Sequence, residues 1–417
     1  MKKELVLALG CTEPIAIAFA AALARKYVKG DKVSLVKVSA SGNVIKNAMA
    51  VSIPGTGSSG INLAAALGTL GRDADKKLEL LTGLSPEDLE NAKEMIKDGF
   101  IVVEVSQSTK MLYIDVTVET DISTARVVLE DGHTHVSLIE VDGEIVKSSS
   151  DTLGLEMNSD TQFLSLDSIW EFVQNVDIEE IDIIQESVEY NMKIAREGME
   201  RAYGLEVGRT LKLYMEKGII GDDIVNNAMA MTAAGSDARM SGCTLPVMSN
   251  SGSGNQGISA TVPIVVASDM LKVDNEKRMR ALTLSHLITI YIKTKFGRLS
   301  ALCGAAVSGT GASCGITYLL GGGLVETKAA IQNMLGNVTG ILCDGAKPGC
   351  ALKVSTCTNA AVQSAILAIQ GQTIKWTDGI IESDPEKTIE NLCNLGNHGT
   401  RECDRIILDI MIKKEDC

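Results

Sequence analysis

Residues 302–323 read LCGAAVSGTGASCGITYLLGGG, and residues 336–357 read GNVTGILCDGAKPGCALKVSTC. Five of the ten cysteines of the chain fall inside these two segments. Glycine and proline frame Cys343 and Cys350, and neither residue type continues a helix comfortably. The sequence therefore predicts that both thiols lie on a turn between two helices, where they can be directed towards one point.

Cysteines that converge in this way are the usual ligands of iron–sulfur clusters. Cys303, Cys343 and Cys350 are flanked by glycine or turn residues, which makes them candidate ligands. Cys314 and Cys357 lie among small residues, where a buried thiol packs well. The spacing fits equally well an alternative in which all five are small core residues. A zinc site is disfavoured, because the C-x2–4-C spacing is absent and no histidine is close in sequence.

Composition and charge limit the partners of the chain. The net charge of −14 argues against nucleic acid, because phosphate binding needs clustered Lys and Arg. Aromatic residues make up only 3% of the chain, so we expect closely packed helices built on Ala, Val, Ile, Leu and Met. Met240–Ser268 and Leu299–Val325 are uncharged and long enough to span a bilayer. Both are rich in Gly, Ser, Thr and Asn, which indicates a protein interior and no membrane partner.

The cysteine content bears on the compartment. No secretory signal is visible, because Glu13 and Pro14 interrupt the short apolar run near the start of the chain. Ten cysteines in such a chain indicate a cytoplasmic protein whose thiols bind metal or act in catalysis, rather than forming disulfides. The oligomeric state is left open, a homo-oligomer included.

The N-terminal part of the chain mixes helix and strand signals. Residues 4–28 predict a helix that breaks at Gly10-Cys11 and restarts with Thr12 as its N-cap. Cys11 then directly precedes a helix N-terminus, whose dipole favours a thiolate. Residues 33–41 alternate apolar and polar side chains as a half-buried strand does. Residues 85–97 carry a helix-capping pattern, and five short β-branched segments between residues 101 and 148 predict an antiparallel meander.

From about Ser165 onwards strand signals disappear and helical periodicity predominates. We therefore predict an α+β fold, with a small mixed antiparallel-sheet domain packed on a large all-helical catalytic domain. Residues 1–160 form the first domain, which includes the N-terminal helix, and residues 161–417 form the second. The predicted helices of the second domain include Ile169–Gln174, Ile178–Tyr203, Val207–Glu216, Asp222–Met231, Lys272–Lys295, Ile380–Gly396 and Asp404–Lys414.

Four separated motifs resemble the L-cysteine desulfidase family, a relative of the iron–sulfur L-serine dehydratase α-chains. The resemblance covers nearly the whole chain and implies elimination of sulfide from L-cysteine, with pyruvate and ammonia as the other products. It also implies a [4Fe–4S] cluster with one iron left open for substrate. The motifs, in chain order, are GCTEP at 10–14, NSGSGNQGI at 250–258, GTGASCGI at 309–316 and GNVTGILCDGAKPGCALKVST at 336–356.

The resemblance also implies roles for individual cysteines. Cys303, Cys343 and Cys350 match the three cluster ligands of the family, and Cys314 is the alternative to Cys303. Cys11 matches the residue that the family uses to abstract a proton. Glu13, two residues further on, is the second candidate for this base, although a carboxylate in a first helical turn also complements the helix dipole.

Two Gly-rich loops are candidate binding sites for the α-carboxylate of a small amino-acid substrate. Backbone N–H groups in such loops form concavities that bind anions, particularly at a helix start. Tight packing between helices is the alternative explanation of both loops. Lys347, inside the Cys343–Cys350 segment, is a further candidate partner for a carboxylate. The predicted substrate-binding residues are Ser251, Gly252, Ser253, Asn255 and Gln256 in the first loop, and Thr56 and Ser58 in the second.

The remaining cysteines and histidines carry weaker expectations. Cys417 ends the chain, and in the related serine dehydratases a C-terminal cysteine occupies the open iron, so the resemblance makes Cys417 a candidate fourth ligand. A terminal thiol without a role is the alternative. His133 and His135 are expected at the surface, and His286 and His398 are expected to be structural.

Three other functions compete with cysteine desulfidation. Serine dehydration uses the same chemistry, and sequence alone does not separate the two substrates. A non-catalytic iron–sulfur redox sensor would need four protein ligands and no substrate loop. A pyridoxal-phosphate lyase would need a phosphate-binding cup beside a Schiff-base lysine, and the sequence offers no convincing one.

Overall fold

A computed structural model describes residues 1–149, 163–296 and 302–414. The first part of the chain forms one six-stranded sheet and four α-helices. Its elements in chain order are β1 (Leu7–Ala8), α1 (Thr12–Tyr27), β2 (Val33–Ala40), α2 (Gly42–Ala48), α3 (Ile61–Thr69), α4 (Pro86–Lys97), β3 (Ile101–Val105), β4 (Tyr113–Thr120), β5 (Thr124–Glu130), β6 (Val136–Val141) and β7 (Glu144–Ser148).

The six-stranded sheet has the order β3-β2-β4-β5-β6-β7. Strands β4 to β7 pair antiparallel with their neighbours, as the predicted meander requires. Strand β3 differs from that prediction, because it lies at the sheet edge and runs parallel to β2, with Val38 opposite Val103. The alternation in β2 buries Val36 and Val38 on one face, where α1 and α3 complete a core.

The beginning of the chain does not follow the predicted helix. Leu7 and Ala8 instead form β1, which pairs antiparallel with β8 (Val247–Met248). Gly10 then turns the chain with a φ of +66°, and a β-carbon at this position would overlap the ring of Pro54. Helix α1 begins at Thr12, so Cys11 and not Thr12 is the N-cap. A partner strand some 240 residues away in sequence cannot be inferred from local periodicity.

Within residues 163–296 and 302–414, the named elements are helices apart from β8, a strand that sequence periodicity missed. Predicted and observed helices agree well at Val207–Glu216, and most others differ by a few residues at their ends. The helices are α5 (Leu166–Asn175), α6 (Asp182–Glu200), α7 (Val207–Glu216), α8 (Ile224–Met240), α9 (Gly254–Leu271), α10 (Asn275–Phe296), α11 (Gly304–Leu319), α12 (Leu324–Val338), α13 (Cys350–Ile369), α14 (Pro385–Asn394) and α15 (Arg401–Ile412).

Small residues let these helices approach one another closely, as the low aromatic content predicted. Helix α11 packs against α9, α10, α12 and α13, and almost all of its residues are buried. A β-carbon at Gly311 would overlap the backbone of Ser285 in α10. In the part of the chain that the structure describes, no helix is both long and apolar enough to cross a membrane.

The α+β fold class is confirmed, and elements near both ends of the chain help to join the two parts. Strand β1 of the first part pairs with β8 of the second. Helix α15, at the other end of the chain, packs on α2, where Leu408 lies against Gly42. The predicted domain boundary at residue 160 falls outside the described residues and stays a prediction.

Candidate functional site

A cavity of about 140 Å³ lies where the N-terminal part meets the helical part. It brings together motifs that are hundreds of residues apart in sequence. Thr56 and Ser58 are not among its lining residues: the Thr56 hydroxyl donates to the carbonyl oxygens of Ile53 and Ser58 and so stabilises its own loop. Cys417 lies outside the described residues. The predicted site residues that line the cavity are Cys11, Glu13, Ser251, Gly252, Ser253, Asn255, Gln256, Cys303, Cys343 and Cys350.

A short backbone bridge joins the segments that carry the first two candidate ligands. Leu302 and Leu342 form an isolated antiparallel bridge, which places Cys303 opposite Ile341 and holds the segment of Cys303 against the segment that leads into Cys343. The amide of Cys303 donates to the carbonyl of Ile341 at 2.9 Å. Burial, together with the charge of the Cys343 sulfur, raises the pKa of Cys303 to about 12. Thiolates close to one another repel, so a raised pKa is expected where several thiols line one small cavity.

The three thiols reach the cavity from helix starts and from the turn that was predicted. Cys303 is the N-cap of α11, Cys350 is the first residue of α13, and Cys343 lies in the loop between α12 and α13. Helix N-termini favour negative charge and therefore stabilise bound thiolates. Cys314, the alternative to Cys303, is fully buried in a hydrophobic core and does not line the cavity.

The donor set fits an iron–sulfur cluster better than a single ion. Within residues 1–149, 163–296 and 302–414, no three His, Cys, Asp or Glu side chains are arranged around a common position for one metal ion. A cubane does not require such an arrangement, because each thiolate binds a different iron. Cys303, Cys343 and Cys350 come from separate segments and line one cavity, so they are the residues that would hold the cluster that the resemblance implies.

Three lysine side chains, one of them buried, hold the loop that carries Cys343. Lys46 of α2 is 1% exposed, and its Nζ donates to the Cys343 carbonyl at 3.1 Å and forms an ion pair with Asp404 of α15. On the other side, Lys353 donates to the Leu342 carbonyl at 2.7 Å and pairs with Asp344. Lys347 also forms an ion pair with Asp344, so its carboxylate partner is a residue of the same loop. These contacts fix the loop relative to both parts of the chain.

Lys46→Met is expected to lower the free energy of unfolding by about 2 kcal/mol, because it leaves the Asp404 carboxylate and the Cys343 carbonyl without their donor. Urea denaturation of the purified protein measures the change. Lys26→Met is the matched control, because Lys26 forms an exposed pair with Asp75 at 3.1 Å and should cost little. Equal midpoints for the two variants would contradict the role of Lys46.

Cys11 and Glu13 form a buried hydrogen-bonded pair at the start of α1. The Cys11 thiol donates to Glu13 Oε2 at 3.0 Å, and Thr12 donates to the same oxygen at 3.1 Å. Asn47 donates to Glu13 Oε1 at 3.3 Å, and His133 Nε2 lies 3.9 Å from that oxygen. Glu13 is thus surrounded by donors although it is almost fully buried.

The protonation of this pair differs from the prediction. Burial and the charge of Glu13 raise the pKa of Cys11 well above its usual value. Burial opposes the charge on Glu13, but His133 and the Cys11 thiol outweigh it and lower the pKa of Glu13 to about 2. At neutral pH the pair is therefore a thiol and a carboxylate. The expected Cys11 thiolate is wrong, because burial beside a carboxylate outweighs the helix dipole.

The histidines are distributed differently from the expectation. His133 is 9% exposed and lines the cavity, so its predicted surface position is wrong. His135 is half-buried, and its Nδ1 contacts the Glu130 carbonyl. His398 is exposed and contacts Asn394. The turn between β5 and β6 carries no sequence signal that would have placed His133 against α1, since that contact is purely tertiary.

A buried polar network supports the Gly-rich loop at 250–257. Asn250 donates to His286 Nδ1 at 3.1 Å, and His286 Nε2 lies 3.1 Å from the Thr261 hydroxyl. Burial lowers the pKa of His286 to about 3, so the ring is neutral and, with Nδ1 accepting, carries its proton on Nε2. Gln256 donates to the Asn250 carbonyl at 2.9 Å, while its Oε1 is buried without a partner among the described residues.

Arg239, at the end of α8, is a cavity residue that the sequence reasoning missed. Its side chain is buried and donates to Gly10 and Asn255. One sequence signal could have found it: Arg239 is the last charged residue before the uncharged run Met240–Ser268. A charge at the edge of a long uncharged segment is a candidate for burial with a function.

Comparison with known proteins places the chain in a family. The family model for the serine dehydratase alpha chain matches residues 75–409. UPF0597 proteins of Oleidesulfovibrio alaskensis and Clostridium perfringens are 46% and 44% identical over 416 residues, which are 100% of this chain and 97% of each relative. A UPF0597 protein of Bacteroides fragilis is 42% identical over 415 residues, 99% of this chain and 97% of that protein. This protein therefore belongs to the serine dehydratase alpha chain family, whose members are iron–sulfur-dependent lyases.

Proposed function

We propose that this protein is an L-cysteine desulfidase with a [4Fe–4S] cluster held by Cys303, Cys343 and Cys350. The observation that carries the proposal is the convergence of these three thiols on a cavity that also contains the Cys11–Glu13 pair. Membership of an iron–sulfur lyase family supports the reaction type, and the four motifs that resemble cysteine desulfidases support the substrate.

The reaction removes the α-proton and the β-sulfur of L-cysteine. When bound, the cluster supplies an iron with an open position, a Lewis acid for the leaving sulfur. Loss of the proton and of hydrosulfide leaves aminoacrylate, which tautomerises and is hydrolysed to pyruvate and ammonia. Cysteine and one water thus become pyruvate, ammonia and hydrogen sulfide. The atoms balance, and the reaction needs neither an oxidant nor a reductant.

Glu13 is the group that accepts the α-proton in this proposal. It is the ionised member of the pair, whereas Cys11 already holds its proton. The Cys11 thiol and Thr12 hydroxyl both donate to Oε2 and so fix the orientation of the carboxylate. A base held by its neighbours loses little entropy in the proton transfer. Its pKa of about 2 nevertheless makes Glu13 a weak base at neutral pH, because a general base is most effective when its pKa lies near the working pH. Direct abstraction by Cys11, as the resemblance implies, would first require the thiol to lose its proton within this buried pair.

Gln256 is suited to the substrate ammonium group. Its Oε1 is a buried acceptor without a donor among the described residues, and a buried unpaired amide oxygen is costly. This oxygen lies beside Gly304, the residue after Cys303: a β-carbon placed on Gly304 would be only 3.0 Å from it. An ammonium donor at this position would satisfy the oxygen and place the substrate next to a candidate ligand.

Serine dehydration is the second candidate function, because the matching family model is that of the serine dehydratase alpha chain. Parallel assays on anaerobically purified protein separate the two reactions. We expect sulfide release from L-cysteine with a kcat/KM about tenfold or more above that for pyruvate release from L-serine. Iron and sulfide analysis should give one [4Fe–4S] cluster per chain. Faster turnover of serine would replace the proposal by the second candidate, and an iron-free protein that turns over cysteine would contradict both.

A further inference from the structure

Arg239 is a buried guanidinium that has no carboxylate partner in the part of the chain that the structure describes. The side chain is 4% exposed and lines the cavity. Its Nη2 donates to the Gly10 carbonyl at 2.8 Å, and its Nη1 donates to Asn255 Oδ1 at 3.2 Å. Its Nε is buried without an acceptor, and among the described residues no Asp or Glu oxygen lies within 4.0 Å of its nitrogens.

Such an arrangement is costly for the free protein. Burying a charge costs several kcal/mol unless an opposite charge and hydrogen bonds compensate it. A guanidinium has five N–H donors. Two neutral oxygens engage two of them here, and the sulfur of Met240 adds only a weak contact with Nη1 at 4.0 Å. The remaining donors form the planar fork that binds carboxylates in a bidentate manner. The missing partner is therefore an anion with two oxygens.

The surroundings of the guanidinium add to its preference for an anion. It lies between the turn before α1 and the first residues of α9, whose N-terminal dipole is positive. Gly254 allows this approach, because a β-carbon there would overlap Arg239 Nε. The carboxylate of Glu13 in the same cavity is already surrounded by Cys11, Thr12 and Asn47.

We propose that Arg239 binds the α-carboxylate of the amino-acid substrate, with Asn255 and the start of α9 completing the anion site. The assignment rests on the proposed function for the identity of the substrate. It deepens that function, because it restricts the substrates to α-amino acids with a free carboxylate and excludes the corresponding amines. The Gly-rich loop, which the sequence suggested as the anion site, then positions the guanidinium and contributes backbone N–H groups.

Two ligand pairs that differ only by the carboxylate test the assignment. L-Cysteine is compared with cysteamine, and L-serine with ethanolamine, by calorimetric titration of the anaerobically purified holoenzyme that carries Glu13→Gln, so that substrate is not consumed during the titration. We expect this protein, with Arg239 intact, to bind the amino acid of each pair about 100-fold more tightly than the amine, a typical effect of a charged bidentate contact. Arg239→Met should weaken amino-acid binding by about the same factor, leave amine binding unchanged and so abolish the preference.

Asn255→Asp provides a nearly isosteric second variant in case Arg239→Met does not fold. It places a carboxylate where Asn255 Oδ1 now accepts from the guanidinium, so it should compete with the ligand and weaken amino-acid binding about tenfold. Arg209→Met is the matched control, because Arg209 forms a half-exposed pair with Glu206 and neither residue lines the cavity. This variant should retain the full preference.

Lys293 is the other cationic lysine or arginine side chain in the cavity wall, with its Nζ 5.6 Å from the centre of the Phe296 ring. The assignment to Arg239 is overturned if Arg239→Met keeps the preference for carboxylates, or if Lys293→Met abolishes it while Arg239→Met does not. Failure of the proposed function looks different. A wild type that binds amino acids through Arg239 but releases neither sulfide nor pyruvate would contradict the desulfidase proposal and leave this assignment intact.

Discussion

Cys343→Ala is expected to yield a folded protein that holds no stable [4Fe–4S] cluster and releases no measurable sulfide. In the proposed site three thiolates would hold the cluster, and three already leave one iron without a protein ligand. Two thiols would leave two irons without one. Folding should persist, because Cys343 is only partly buried and the contacts of Lys46 and Lys353 to the loop use backbone carbonyls.

Iron content, visible absorption and circular dichroism of the anaerobically purified variant measure these two outcomes separately. Cys403→Ala is the matched control, because Cys403 is also only partly buried but lies on α15 and does not line the cavity. This variant should keep its iron. A full iron complement in Cys343→Ala would exclude Cys343 as a ligand.

The same assay decides between Cys303 and Cys314. The two residues lie on one helix, with Cys303 as its N-cap and Cys314 eleven positions further along. At 1.5 Å per residue, about 16 Å of helix separates them, so they cannot serve the same iron in one conformation. We expect Cys303→Ala to lose the cluster and Cys314→Ala to keep it. The reverse result would show that Cys314, and not Cys303, is the ligand from helix α11.

Glu13→Gln is expected to lower kcat for sulfide release about 1000-fold without removing the cluster, which is a typical effect of losing a general base. The amide matches the carboxylate in shape but does not accept the α-proton at neutral pH. Glu13 lies in the cavity wall but is no candidate ligand, so absorption of the cluster should be unchanged. Substrate affinity should change little, because the amino-acid contacts are assigned to other residues.

Cys11 variants separate the two candidate bases. If Glu13 accepts the proton, Cys11→Ser should lose only about tenfold in kcat, because the hydroxyl still donates to the carboxylate. If Cys11 itself were the base, Cys11→Ser would be as impaired as Glu13→Gln. A loss of that size in the serine variant, with cluster content intact, would move the base to Cys11.

The pH dependence provides an independent check. The pKa of Glu13 is about 2, and that of Cys11 is raised well above its usual value. Glu13 is therefore ionised, and Cys11 protonated, across the range from about pH 5 to pH 8. The rate should show no acidic loss due to Glu13 in this range. If the rate instead rises steadily with pH in the wild type, and this rise is absent in Cys11→Ser, the Cys11 thiolate is the base.

Much of the fold was predictable, because its signals are local. Alternating residues at 33–41, the capping pattern at Ser85 and the helical periodicity beyond Ser165 reflect interactions within a few residues of each other, and the structure contains the corresponding elements. The helix expected before Gly10 failed for the complementary reason. Residues 7 and 8 pair with β8, and a partner so distant in sequence leaves no mark on local periodicity.

The candidate site divides in the same way. The turn that carries Cys343 could be predicted from residue types, because glycine and proline restrict the backbone geometry. Cys350 differs from that prediction, because it is already the first residue of helix α13. The charge states of Cys11 and Glu13, the burial of His133 and the unpaired guanidinium of Arg239 could not be predicted from residue types. These properties depend on the dielectric and on which groups from distant segments become neighbours, and both exist only once the chain has folded.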